Sequence, residues 1–141
     1  MTNELCCCPT KIRVNPCQFT ARKYNQRKKP LLHITTLTEE QAALAAGVYR
    51  ADSLDSEGFI HCSTPEQVLK PANEMFHGRS DLILLVLDPA KVQADIVYED
   101  CYETGMAFPH IYGPINLDAV INVVDFPPNP DGPFSLPHHL I

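Results

Sequence analysis

The chain has 141 residues, 45% of them hydrophobic and 20% charged, with a formal net charge of −6. Those values suit one soluble globular domain with a single modest core. The longest apolar run is Leu82 to Leu87, far short of the ~20 residues that span a bilayer, so no membrane partner is expected.

The charge is divided unevenly. Residues 1–30 hold seven Lys or Arg and one acid, Glu4, whereas residues 31–141 hold four Lys or Arg and sixteen Asp or Glu. A body this acidic would repel duplex nucleic acid, which excludes that partner class as an expectation. Residues 1–29 are basic and lack hydrophobic periodicity, so they read as a disordered leader; an organelle transit peptide is the alternative. Cys6, Cys7, Cys8 and Cys17 lie in that leader and Cys62 and Cys101 in the body. With no secretory apolar segment at the N-terminus, reduced thiols and a cytoplasmic location are expected. The run Cys6-Cys7-Cys8 is not the usual paired spacing of zinc ligands.

Residues 30–141 read as one domain. Leu31 to Thr36 is a first strand. Thr38-Glu39-Glu40-Gln41 has the form of a capping box, with Thr38 as N-cap, and the helix runs to Gly47. Val48 to Ala51 is a short extended piece. Asp52 or Ser53 caps a helical turn that ends at Gly58, and Phe59 to Cys62 is a second strand. Thr64-Pro65-Glu66-Gln67 is another capping box, with Pro65 at the first helical position. That helix is expected to bury Val68, Leu69, Met75 and Phe76, and Pro71 is expected to kink or split it. Asp81 to Leu87 is a central strand and Ile96 to Glu99 another. A loop runs to Phe108, Ile111-Tyr112 enters a Gly-Pro turn, and Leu117 to Phe126 forms the last strand. Five prolines make the tail from Pro127 to Pro137 extended or irregular. The order strand-helix-strand-helix, then mostly strands, predicts an α+β fold of split antiparallel sheets with two main helices.

Three histidines carry the chemistry that the sequence offers. His33, His61 and His110 each lie on or beside a predicted strand among apolar neighbours, where a buried imidazole needs partners that a shared cleft supplies. His61 and Ser63 alternate on one strand and share a face with Phe59, while Ile60 and Cys62 point to the core. That alternation separates Cys62 from His61 and removes a Cys-His dyad. Ser63 lies just before a helix start, where anions bind well. His61 and His110 are the candidate general acid and base. His33, Ser63, Tyr112 and Arg50 are candidate ligand-binding groups, with Tyr49, Tyr98 and Glu99 behind them. For Arg50 a surface ion pair is the plainer reading. No His-x-x-x-His or Cys-x-x-Cys spacing occurs in the body, so spacing assigns no metal site, although His33, His61 and His110 together form an alternative metal set.

The strings Leu32-His33-Ile34, Glu57-Gly58-Phe59-Ile60-His61-Cys62-Ser63-Thr64, Phe108-Pro109-His110-Ile111-Tyr112-Gly113-Pro114-Ile115-Asn116 and Gly132-Pro133-Phe134-Ser135-Leu136-Pro137 resemble the bacterial family known as domain of unknown function 952. The resemblance covers about residues 30–137. That family is similar in fold to the ADP-ribosyltransferases, and closest to the RNA 2'-phosphotransferase branch. The resemblance implies a cleft for NAD or another ADP-ribose or nucleotide derivative. His33 would match the first-strand histidine and His61-Cys62-Ser63 the second-strand motif. A third-strand Glu has no counterpart by motif, and His110 or Tyr112 stands nearest. A non-catalytic small-ligand module is the alternative reading of the same residues.

Overall fold

The computed structural model describes residues 29–138 apart from Tyr102. Residues 1–28 lie outside the described residues, and with them the leader cysteines and the transit-peptide reading; so does His139.

The elements in chain order are β1 (Leu31–Thr36), α1 (Leu37–Ala46), β2 (Val48–Tyr49), α2 (Asp52–Ser56), β3 (Ile60–His61), α3 (Leu69–Met75), β4 (Leu82–Leu87), β5 (Ile96–Glu99), β6 (Phe108–Ile111), β7 (Ile115–Asn116), a 3-10 turn (Leu117–Ala119) and β8 (Val120–Asp125). The strands form three small antiparallel sheets, ordered β1-β4-β8, β2-β7 and β3-β6-β5. This is a mixed α+β arrangement, as the element order predicts. Among the described residues, no helix is long and apolar enough to cross a membrane.

The β1-β4-β8 sheet is the centre. Leu31, Ile83, Leu85 and Leu87 join Tyr49, Ile60, Cys62, Ile111 and Ile115 in one core cluster. Leu32, Leu82, Leu84 and Val86 join Val68, Ala72, Phe126 and Phe134 in the other. Both faces of β4 are therefore covered, which is why Leu82 to Leu87 reads as an unbroken apolar run.

Local chemistry moves several predicted boundaries. The first helix is capped two residues earlier than expected: the Glu39 amide donates to Thr36 Oγ1 at 3.2 Å, and Leu37, not Glu39, opens the helix. At the second capping box, Gln67 does reach back to the Thr64 amide (3.2 Å). Residues 65–68 nevertheless form turns, and α3 begins only at Leu69. Pro71 thus sits in the first helical turn, where its missing N–H costs no helical bond, and no kink is needed. Val68 and Ala72 are buried, but Met75 is exposed, contrary to expectation. The last strand starts at Val120, because Leu117 to Ala119 coil into the 3-10 turn.

The stretch from Phe108 to Ile111 is not a loop edge but the middle strand of its sheet, in spite of Pro109. The Pro109 carbonyl accepts from the Cys62 amide at 3.0 Å. Without an N–H, Pro109 cannot return that bond, and the β3-β6 ladder stops there. The chain then changes partner. Ser63 pairs with Leu32 of β1 through Leu32 N–H to Ser63 O at 2.7 Å and Ser63 N–H to Leu32 O at 2.8 Å.

His33 locks this crossing. Its Nδ1 lies 2.6 Å from the His61 carbonyl and donates to it. Its Nε2 lies 2.8 Å from the Tyr49 hydroxyl, which is also 2.9 Å from Thr35 Oγ1. One imidazole therefore ties β1, β2 and β3 together. Burial pushes its pKa down to about 4, only partly offset by the bond to the His61 carbonyl. The tail is fixed as well: Phe134 stacks on Phe126 with centroids 4.9 Å apart, and its amide donates to Asn73 Oδ1 at 2.8 Å.

Two outcomes follow from this packing. The His33 pKa is lowered on folding, so its stabilisation is complete above the unfolded value near 6.5 and is lost as pH falls from there towards about 4. That loss amounts to about 3 kcal/mol. Urea midpoints for wild type and His33→Gln between pH 7 and 4 measure it: the variant is less stable at pH 7 and its midpoint falls less on acidification, whereas equal slopes would clear His33. Separately, Phe134→Ala costs about 3 kcal/mol in the same assay, and a change below about 0.5 kcal/mol would show that the tail is not part of the core.

Candidate functional site

The β3-β6-β5 sheet carries the cluster. Cys62 and Pro109 are joined by a backbone bond, so the neighbouring pair His61 and His110 is a non-hydrogen-bonded antiparallel pair, the kind whose side chains stand closest. The two rings meet edge to face with centroids 5.2 Å apart. Alternation places Phe59 and Tyr112 on the same face, and both strands send Ile60 and Ile111 to the core. Phe59 stacks flat on His110 at 4.2 Å and meets His61 edge-on at 5.0 Å. The turn after Tyr112 is closed by the approach of Gly113 to Ala94, where a Cβ would stand 2.9 Å from the Ala94 Cβ.

Each imidazole has a carboxylate. His61 Nε2 lies 3.2 Å from Glu57 Oε2 at the half-open edge of the face. His110 is almost fully buried, and its Nδ1 donates to Glu99 Oε2 at 3.0 Å. The Tyr112 hydroxyl donates to that same oxygen. Among the described residues Glu99 Oε1 makes no hydrogen bond, and the carboxylate is about one third open. Burial lowers the pKa of His110, against the pull of Glu99, and favours the neutral ring. Burial, followed by the bond to Glu99, raises the Tyr112 phenol and keeps it a donor.

The cysteines divide as alternation predicts for one and leaves open for the other. Cys62 is buried in the core, and desolvation pushes its thiol far up, so it is inert. Cys101 is exposed, with Sγ 3.8 Å from His110 Nδ1. Its loop is pinned by Asp100, whose carboxylate accepts from the Thr104 amide at 2.8 Å and the Gly105 amide at 2.7 Å.

Of the residues singled out in the sequence, His61, His110 and Tyr112 come together. Ser63 lies one alternation beyond His61 and is buried; its hydroxyl makes no hydrogen bond among the described residues. His33 touches the cluster only through the His61 carbonyl, with both ring nitrogens engaged. That geometry leaves no free nitrogen for the metal set of His33, His61 and His110. Arg50 is spent on an exposed ion pair with Asp55 at 2.8 Å. Glu57 and Cys101 were missed by sequence reasoning, and Glu99 was ranked too low. The spacing of Glu57 four residues before His61 is a signal that could have been used. The position of Glu99 depends on the β5-β6 register, which sets Val97 opposite His110 and Glu99 opposite Phe108.

Residues 34–123 match the model of the protein family of unknown function DUF952. The crystal structure of protein CC0527 from Caulobacter crescentus is 29% identical, with a TM-score of 0.70 over 79% of this chain and 97% of that one. The solution NMR structure of CC0527 is 30% identical, with a TM-score of 0.68 over 79% and 96%. A search of curated proteins returns no match. By the family match over most of the folded region and the likeness to CC0527, the chain belongs to the DUF952 family of proteins of unknown function.

Proposed function

We propose that the face built from β3, β6 and β5 binds a small nucleotide-derived ligand, NAD or an ADP-ribose derivative, and assists cleavage or transfer at its glycosidic or phosphate bond. The observation that carries this reading is the pair of facing imidazole–carboxylate units, His61 with Glu57 and His110 with Glu99. An imidazole within reach of a reacting group serves as general acid or base, and a carboxylate beside it fixes the tautomer. Glu99 supplies what motif matching did not: a carboxylate on the third strand of the sheet, with one oxygen held by His110 and Tyr112 and the other open. An oxocarbenium-like centre, as in glycosidic cleavage, is stabilised by such a group.

In this reading His61, the more open of the two histidines, exchanges the proton. His110 is a positioning residue that aims Glu99. The buried Ser63 hydroxyl and the Tyr112 ring are the groups for the ribose side. Arg50 has a part only if a ligand phosphate draws it from Asp55. The resemblance to ADP-ribosyltransferases supports the choice of ligand class. His33, in turn, contributes by holding the His61 backbone rather than by touching the ligand.

Calorimetric titration of NAD and ADP-ribose into the full chain, in the presence of a chelator, tests binding. Chromatography for released nicotinamide tests turnover. Saturable binding is expected, and His61→Ala should lower turnover by roughly 10²–10⁴-fold with the far-UV spectrum unchanged. Binding without turnover would make the face a non-catalytic ligand reader. Absence of binding by both ligands would end the nucleotide reading.

A further inference from the structure

We propose that Glu99, Cys101 and His110 form a binding site for a divalent transition-metal ion such as zinc, with a coordination position left open. One ligand atom from each residue lies within 4.8 Å of the others. His110 Nδ1 is 3.0 Å from Glu99 Oε2 and 3.8 Å from Cys101 Sγ. Zinc bonds of about 2.0–2.2 Å to nitrogen and oxygen and about 2.3 Å to sulfur place tetrahedral neighbours roughly 3.3–3.6 Å apart. Small side-chain movements of the exposed Cys101 and half-open Glu99 close that difference, while buried His110 stays fixed beneath Phe59.

Three protein ligands of mixed N, O and S type with one position free is the pattern of reactive zinc rather than structural zinc sites. The chain around the site suits it. Asp100 rigidifies the loop that presents Cys101, and the Tyr112 hydroxyl on Glu99 is the outer partner that orients a ligating carboxylate. The proton balance is simple. Neutral His110 moves its proton from Nδ1 to Nε2, the thiol of Cys101 releases one proton to solvent, and Glu99 exchanges its bond from His110 for one to the cation. This inference does not rest on the nucleotide reading, and it replaces the histidine-only metal set, which the internal bonds of His33 break.

The test uses the full chain with Cys6, Cys7, Cys8 and Cys17 changed to Ser, so that only body cysteines remain. Cobalt(II) titration is followed by the cobalt–thiolate charge-transfer band, and zinc by competition for the bound cobalt. One equivalent with a thiolate band is expected. Cys101→Ser should abolish the band, and Glu99→Gln should weaken binding at least as much as the roughly 10–100-fold lost with an outer partner. No thiolate band, or a band that survives Cys101→Ser, would overturn the proposal. The ligand titrations in chelator are read separately, so failure of either reading leaves the other standing or falling on its own data.

Discussion

The fold depends on the bond from His33 to the His61 carbonyl. At that point β3 leaves β6, because Pro109 has no N–H to continue the ladder, and the chain crosses to β1 at Ser63. Two sheets that share no continuous strand are joined there by the Leu32–Ser63 bridge and one imidazole. The imidazole donates through Nδ1 and keeps Nε2 against the Tyr49 hydroxyl, and burial lowers its pKa to about 4, which favours the neutral ring. A histidine that looks like a ligand contact from its sequence setting is in this fold the fastener that sets the height of its neighbour.

That fastening has consequences for the site. His61 cannot shift along the β3 direction without breaking a buried hydrogen bond, so its ring stands opposite His110 by construction. His110 in turn is fixed by Phe59 above and Glu99 beside it. The rigid part of the cluster is thus its centre, and the adaptable part is its rim: Glu57, Tyr112 and Cys101. A preorganised centre with an adjustable rim is what a binding site needs to hold geometry while admitting a ligand.

Much of this could be read from the residues, and the failures have physical causes. Period-two alternation correctly separated His61 from Cys62, because Ile60 and Cys62 had to be buried. The unbroken run from Leu82 to Leu87 marked a strand covered on both faces. Pro109, by contrast, hid a central strand, since the cost of its missing N–H is absorbed where the ladder ends. Thr38 looked like a cap, yet Thr36 caps the helix; the two threonines are two residues apart, and only the end of the β1 pairing at Thr36 chooses between them. Cys101 was not legible as a site residue and Glu99 only as a second-rank one, because cross-strand register and a loop set by Asp100 bring them to His110.

Electrostatics bears on both proposals. The face carries Glu57, Glu99 and Asp100 within an acidic body, and Arg50 is occupied by Asp55. Partial desolvation and then the charges of Glu99, Asp100 and Glu57 raise the Cys101 thiol, which records how negative this rim is. An anionic diphosphate approaching it meets repulsion from those carboxylates. The same field draws a divalent cation, and a cation held by Glu99, Cys101 and His110 would reverse the local sign where a phosphate has to sit. A nucleotide would therefore be held more tightly with such a cation in place than on the bare face.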